Sequence, residues 1–284
     1  MSRGITIGQY LPGHSLVHRL DPRAKLLSLV VFITGIFTVP DLGGLLIFLA
    51  LVVLWLFISG VSFGRMLRGL RPILFIIILT LFIHVFFTEG GVVFWRAEIL
   101  NLGDYTAEVT IEADGVNLGA FTALRLITLI FYTMLVTLTT TPLALTGAME
   151  FFLRPFKYLR LPVSEITMII MIALRFIPTL MEESTRIVKA QMARGADFGE
   201  GNLLRRAKAL VPVMVPLFVS AFRRAEDLAT AMEARCYRVG ARRTSLQQSR
   251  VEAKDYLSVA VSFLLVVGVV LWEMQKGGWL GPLI

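Results

Sequence analysis

The sequence predicts an all-α integral membrane protein: about five transmembrane helices, long basic helices on the cytoplasmic side and a small exterior β-hairpin. Three observations carry that prediction. Hydrophobic residues make up 56% of the 284 and charged residues only 17%, with mean hydropathy +0.75, far more apolar than a soluble domain of this size. The apolar residues gather into separate runs near membrane length, parted by short polar turns. The formal charge of +8 is unevenly spread: from Met181 to Lys254 stand 14 Lys/Arg against 8 Asp/Glu, which a cytoplasmic, membrane-proximal location explains.

Met1 to Lys25 is polar and lacks the apolar core and small-residue cleavage site of a signal peptide, so the first apolar run is expected to remain as an anchor. Asp21 and Pro22 suit the cap and first position of a helix. Arg19, Arg23 and Lys25 flank the first run and place the N-terminus in the cytoplasm, while His14 and His18 read as interfacial polar residues. Leu26 to Val39 and Leu42 to Gly60 are the first two spans, parted by Pro40 and Asp41. The first is short for a crossing of about 20 residues and borrows length by tilting or by snorkelling of its basic flank. Arg65, Arg68 and Arg71 read as an inner loop before the third span, Pro72 to Thr88, in which His84 is expected to be packed and hydrogen-bonded.

Glu89 to Asn117 changes character. It holds six acidic residues against Arg96 alone, and Ala107 to Glu112 alternates polar and β-branched side chains, the pattern of an exterior hairpin. Leu118 to Thr141 is the fourth span; Arg125 in its outer third is expected to snorkel or pair and to stabilise the fold. Beyond Pro142, Gly147 to Leu161 carries Arg154, Lys157 and Arg160 at helical spacing among Met, Phe and Leu, an amphipathic helix along the inner membrane surface that Pro155 should bend. Val163 to Leu180 is apolar but contains Glu165, Arg175 and Pro178. It can be read as a membrane span or as a helix packed under the other spans, and the second is preferred because it runs straight into a polar helical stretch, Met181 to Arg194. Leu203 to Tyr237 can form a helix on the order of 50 Å long, kinked at Pro212 and Pro216. Arg238, Arg242, Arg243 and Arg250 form a basic linker, and Tyr256 to Trp272 is the last span, with Trp272 and Trp279 at the far interface. The organisation is thus a membrane domain over 1–141 with its hairpin near 89–117, a cytoplasmic helical domain over 142–253, and a C-terminal transmembrane helix over 254–284.

The two polar helical stretches end on one theme, Ala193-Arg194-Gly195 and Ala234-Arg235-Cys236. An arginine at a helix end between small neighbours can reach outward, and its fork is fitted to carboxylates and carbonyls on a partner protein. These motifs resemble the paired Ala-Arg-Gly signatures of the transmembrane T component of energy-coupling factor (ECF) vitamin and metal transporters. Leu20-Asp21-Pro22-Arg23-Ala24-Lys25-Leu26 and Ala173-Leu174-Arg175-Phe176-Ile177-Pro178 also match, and the resemblance spans nearly the whole chain. Cys236 stands where the family often has glycine, a departure that bears on the backbone of the second motif. The resemblance implies a bacterial inner-membrane location and two cytoplasmic ABC-type ATPase subunits held by Arg194 and Arg235. It further implies a separate substrate-binding membrane protein, the S component, moved by the crossing helices.

The chain's own chemistry fits a mechanical part. It has no Gly-x4-Gly-Lys-Ser/Thr loop for ATP, no His-Glu-x-x-His site and no Gly-x-Ser-x-Gly elbow, so no cofactor of its own is expected and ATP falls to the partner subunits. Arg125 and Arg175 form no acid/base relay. Cys236 is the one cysteine, which excludes an internal disulfide or a cysteine-cluster metal site, and the basic stretch lacks both a nucleic-acid motif and the aromatics to stack bases. Three other readings differ in what they require. A T component dedicated to cobalt or nickel would share these motifs; the acidic hairpin favours one shared among vitamin-specific S components. A self-sufficient carrier calls for inverted repeats, and a membrane-embedded enzyme for an intramembrane polar cluster; neither is visible. Met168, Met171, Met181, Met192 and Met214 read equally as plain packing residues or as an adaptable surface for exchangeable partners.

Overall fold

The computed structural model describes residues 10–102, 105–159, 161–196, 198, 203–240 and 252–275. The order of elements is α1 (Leu16–Arg19), α2 (Pro22–Thr38), α3 (Leu42–Ser59), α4 (Phe63–Phe87), β1 (Val93–Leu102), β2 (Tyr105–Glu112), α5 (Ala113–Leu138), α6 (Pro142–Leu153), a 3-10 helix (Arg154–Leu159), α7 (Val163–Ala193), α8 (Leu203–Ala234) and α9 (Ala253–Gln275). They fall into two units, one holding residues 10–141 with α9 and the other α6 to α8. Arg160, Asp104, Arg242, Arg243, Arg250 and Trp279 lie outside the described residues.

In the first unit α2 and α3 begin where the sequence supplies a cap, while α4 and α5 begin without a side-chain cap bond. Asp21 caps α2 through Oδ1, which accepts from the Arg23 N–H at 2.8 Å, and Pro22 takes the first position, where its missing N–H costs nothing. Asp41 caps α3 in the same manner from the Leu42 N–H, and Gly60 ends that helix in the left-handed region at φ 68°. The core is aromatic and aliphatic. Phe32 stacks on Tyr132 with ring centroids 4.0 Å apart and meets Phe48 edge-on at 5.1 Å, over buried Ile36, Leu45, Val52, Met66, Leu135 and Val269.

A buried polar knot joins helix ends that are far apart in sequence. Asp255 Oδ1 accepts from the Asp21 N–H at 2.7 Å and its Oδ2 from the Glu252 N–H at 2.8 Å, so one carboxylate serves the starts of both α9 and α2. Lys25 is 6% exposed; its Nζ donates to the Thr139 carbonyl at 2.9 Å and to Thr140 Oγ1 at 3.3 Å, a cation at the C-terminus of α5. The Leu11 N–H bonds the Leu138 carbonyl, and His18 Nε2 lies 3.1 Å from the Leu11 carbonyl.

The hairpin pairs antiparallel from Val93 opposite Glu112 to Leu102 opposite Tyr105, with irregularities at Val93/Trp95 and Glu98/Leu100. It hands directly into α5: the Ala113 N–H bonds the Val92 carbonyl and the Asp114 N–H the Gly90 carbonyl. Within α4, His84 Nδ1 bonds the Thr80 carbonyl at 2.8 Å, as expected of a packed histidine. Arg125 Nη2 donates to the Val39 carbonyl at 3.1 Å while its guanidinium lies 4.4 Å from the Phe121 ring, so it pairs as the sequence suggests.

Several boundaries differ from the sequence reading. Arg65, Arg68 and Arg71 are not in a loop: α4 starts at Phe63 and continues through Pro72, because arginine favours helix and the proline removes only the bond to the Arg68 carbonyl. Helix α5 starts at Ala113 rather than Leu118. The stretch read as one bent amphipathic helix is α6 followed by the 3-10 helix, which takes over at Arg154 beside Pro155. Val163 to Leu180 and the polar stretch after it form a single helix, α7, that runs through Pro178.

By length and composition five helices among the described residues can cross a membrane: α3, α4, α5, α7 and the Ala253–Trp272 part of α9. The chain is a multi-pass, all-α membrane protein, but the membership of the five differs from the sequence reading. Helix α7 qualifies, its apolar half outweighing Glu165 and Arg175, while α2, 17 residues opening on Pro-Arg-Ala-Lys, is one residue shorter than α3 and matches the short first span of the sequence.

Candidate functional site

The two Ala-Arg motifs end α7 and α8, and their backbones are the same structure. At α7 the Gly195 N–H donates to the Met192 carbonyl at 3.0 Å and the Ala196 N–H to the Gln191 carbonyl at 2.9 Å. At α8 the Cys236 N–H donates to the Glu233 carbonyl at 2.8 Å and the Tyr237 N–H to the Met232 carbonyl at 3.0 Å. Each pair of bonds is a Schellman cap: the residue after the arginine enters the left-handed region and two orphan carbonyls of the last turn are satisfied. Gly195 stands at φ 86° and Cys236 at φ 56°. The cysteine therefore reproduces the geometry glycine would supply, and it does so under strain.

That strain makes a test. An L-residue in the left-handed region costs roughly 1–2 kcal/mol that glycine does not. Replacing Cys236 with glycine is expected to raise the thermal unfolding midpoint of the detergent-solubilised protein by a few degrees, about 1 kcal/mol, and Cys236→Val to lower it. A drop on Cys236→Gly would mean that the thiol makes a compensating contact.

Arg194 and Arg235 each follow the last helical alanine, both are exposed, and neither guanidinium makes a hydrogen bond or ion pair with another described residue. Ala193, Ala234, Gly195 and Cys236 are exposed with them, so small residues surround each fork.

Helices α7 and α8 pack against each other. Gln191 Nε2 lies 3.5 Å from the Pro212 carbonyl; eight residues back along α7, Ser220 of α8 donates its hydroxyl to Glu183 Oε1 at 2.5 Å. Contacts that recede along one helix as they advance along the other make the pair antiparallel here. Arg194 therefore lies beyond the contact in one direction and Arg235 beyond it in the other. At about 1.5 Å per residue, counted out from Glu183 and Ser220, they stand up to roughly 40 Å apart. Arg224 Nη2 adds a 3.1 Å ion pair to Glu183 Oε2, and past the end of α8 the Gly240 N–H bonds Glu165 Oε1 near the start of α7.

The other residues singled out in the sequence are dispersed. Arg175 is exposed on α7 ahead of Pro178, and Pro212 and Pro216 lie inside α8. Asp21, Pro22 and Arg23 belong to the other unit, at the buried knot. Sequence reasoning missed Asp255, Glu183, Gln191 and Ser220. For Asp255 a signal existed, an acidic residue three positions after the cap residue Glu252; the others depend on which helix lies alongside. Helix α8 also carries a continuous exposed apolar ridge, including Val211, Met214, Val215, Phe218 and Phe222, each more than half exposed.

With this geometry in hand, the likeness to known proteins is specific. A family model described as cobalt transport protein (CbiQ) matches residues 13–246. The energy-coupling factor transporter transmembrane protein EcfT of Thermosediminibacter oceani is 47% identical over 269 residues, covering 95% of this chain and 98% of that protein. Proteins of the same description from Ruminiclostridium cellulolyticum and Streptococcus equi subsp. equi are 43% and 39% identical, over 96% of this chain and 98% and 97% of their own lengths.

Proposed function

Because this chain belongs to the family of energy-coupling factor transporter transmembrane proteins, EcfT, we propose that it is the coupling subunit of an ECF-type ABC importer. It transmits ATP-driven motion of two ATPase subunits to a substrate-binding S component. The observation that carries the reading is the matched pair of Schellman-capped arginines at opposite ends of an antiparallel helix pair. Each guanidinium enters a groove on one nucleotide-binding domain, where paired charge-assisted hydrogen bonds hold it. Closure of the ATPases on ATP moves the two ends and, through α7 and α8, the membrane partner.

In this reading ATP is bound and hydrolysed by the partners, and this chain catalyses nothing and holds no cofactor. The N-terminus, the polar half of α7 from Met181 onward and α8 face the cytoplasm of a bacterial cell, by the basic excess around them. Residues 1–141 and 254–284 form the membrane part, and 142–253 the coupling part. Arg175, Pro178, Pro212 and Pro216 shape the coupling helices, while Asp21, Pro22 and Arg23 anchor the first membrane helix. The apolar ridge of α8 and the methionines near it meet the S component or lipid. The acidic hairpin supports a component shared among vitamin-specific S components; the cobalt-transport description of the family model supports the dedicated alternative.

The test is recovery of the tagged protein from its native membrane in mild detergent, with mass spectrometry of what stays bound. Two ABC-type ATPases and one or more small membrane proteins are expected, several different small proteins indicating a shared component. Recovery of the chain alone, with the ATPases demonstrably in the extract, would overturn the reading.

A further inference from the structure

The double-proline segment of α8 is splinted by α7. A proline in a helix removes the bond from its own N–H to the carbonyl four residues before it, which leaves that carbonyl free and the helix soft. Pro216 thus frees the carbonyl of Pro212, and Gln191 Nε2 of α7 points at that same oxygen at 3.5 Å. Beyond the soft segment, Ser220 and Arg224 both engage one carboxylate, Glu183, at 2.5 and 3.1 Å. Arg224 is 40% exposed at its side chain, but its Nε is buried without a hydrogen-bond partner among the described residues, so the inner edge of the guanidinium packs while its Nη2 reaches Glu183. The two stitches bracket the segment from Pro212 to Ser220.

We infer that Glu183, through Ser220 and Arg224 and with Gln191, is the positioning residue that makes α7 and α8 move as one lever and fixes the separation of Arg194 and Arg235. The inference rests on the coupling role proposed above. A load applied at Arg235 must pass the segment holding Pro212 and Pro216 to reach the rest of α8. If that segment bends, the motion is absorbed there. Cross-bracing to α7 routes it into a second helix instead. A half-exposed ion pair adds little to stability, so the brace acts on geometry rather than on folding.

The experiment measures the distance between nitroxides carried on unnatural ketone residues at Lys189 and Thr230, both exposed, in the full complex with its ATPase subunits. The unaltered brace is expected to give one narrow distribution that shifts as a single peak on adding ATP. Glu183→Gln should broaden it roughly twofold, and Glu183→Asp, which keeps the charge, should restore most of the sharpness. If Glu183→Gln fails to accumulate, the exchange of charges, Glu183→Arg with Arg224→Glu, is measured instead and should stay narrow while Arg224→Glu alone broadens. An unchanged width in Glu183→Gln, or equal broadening in Glu183→Asp, would overturn the inference. Failure of the coupling role shows differently: no ATPase co-purifies with any variant, while the widths, taken on the chain alone, still score the splint.

Discussion

Replacing both Arg194 and Arg235 with alanine is expected to leave the protein folded and inserted while abolishing its association with ATPase subunits and with it uptake. The structure separates the two effects. Both arginines follow the last helical residue, are exposed, and make no bond to another described residue, so truncation removes no contact that holds the fold. Surface changes of this kind stay within about 0.5 kcal/mol. A forked arginine desolvated in a partner's groove, by contrast, is a hot spot whose loss costs on the order of 2 kcal/mol or more. The two sites are also joined through one rigid pair of helices, so loss of one leaves the second attachment to act locally, whereas loss of both removes the advantage of being linked. Single variants should therefore weaken co-purification of the ATPases by roughly tenfold or more and the double variant should eliminate it. Lysine at either position should rescue only in part, because a point charge cannot reproduce the paired bonds. Normal uptake in the double variant, with membrane insertion confirmed, would remove the docking role.

What could be read in the sequence follows from how local each signal is. The apolar runs, the capping Asp21-Pro22 and the acidic hairpin are written in adjacent residues, and each is present in the structure. The motif ends of α7 and α8 were legible for the same reason, since a helix terminus is a local event. Cys236 shows the limit. Nothing about a cysteine announces a left-handed backbone; the Schellman bonds of the last turn impose it, and only the parallel with Gly195 hints at it. The Arg65 to Arg71 stretch failed in the opposite sense: a basic cluster says which side of a membrane a segment prefers, not whether it is coiled, and arginine is content in a helix. Glu183 with Ser220, and Asp255 with Asp21, lie 37 and 234 residues apart, and no periodicity in one helix encodes the neighbour it will find.

Gly115 and Gly119 of α5, four apart, carry the second large prediction. Helix α5 lies against the end of α4 so closely that a Cβ on Gly115 would sit 2.7 Å from the His84 carbonyl oxygen, 3.1 Å from that of Thr88 and 3.4 Å from that of Val85. Those are backbone atoms of a helix terminus, which cannot rotate aside as a side chain can. At Gly119 the nearest neighbours are Leu81 Cδ1 at 3.1 Å and His84 Cβ at 3.3 Å, so the approach continues one turn on. In a membrane, where lipid offers apolar contact as good as any side chain, such close packing between small residues is a main source of helix association. Gly115→Ala is therefore expected to destabilise the protein by about 1–3 kcal/mol through overpacking, and Gly115→Leu to prevent α4 and α5 from meeting at all. The effect should be local in origin. Gly268 of α9 has nothing within 4 Å of its would-be Cβ, and Gly268→Ala should be neutral or stabilise by up to about 1 kcal/mol through better helix propensity. Thermal unfolding of the three variants in the same detergent decides the matter: equal midpoints for Gly115→Ala and Gly268→Ala would mean that α4 and α5 can separate at this end without cost.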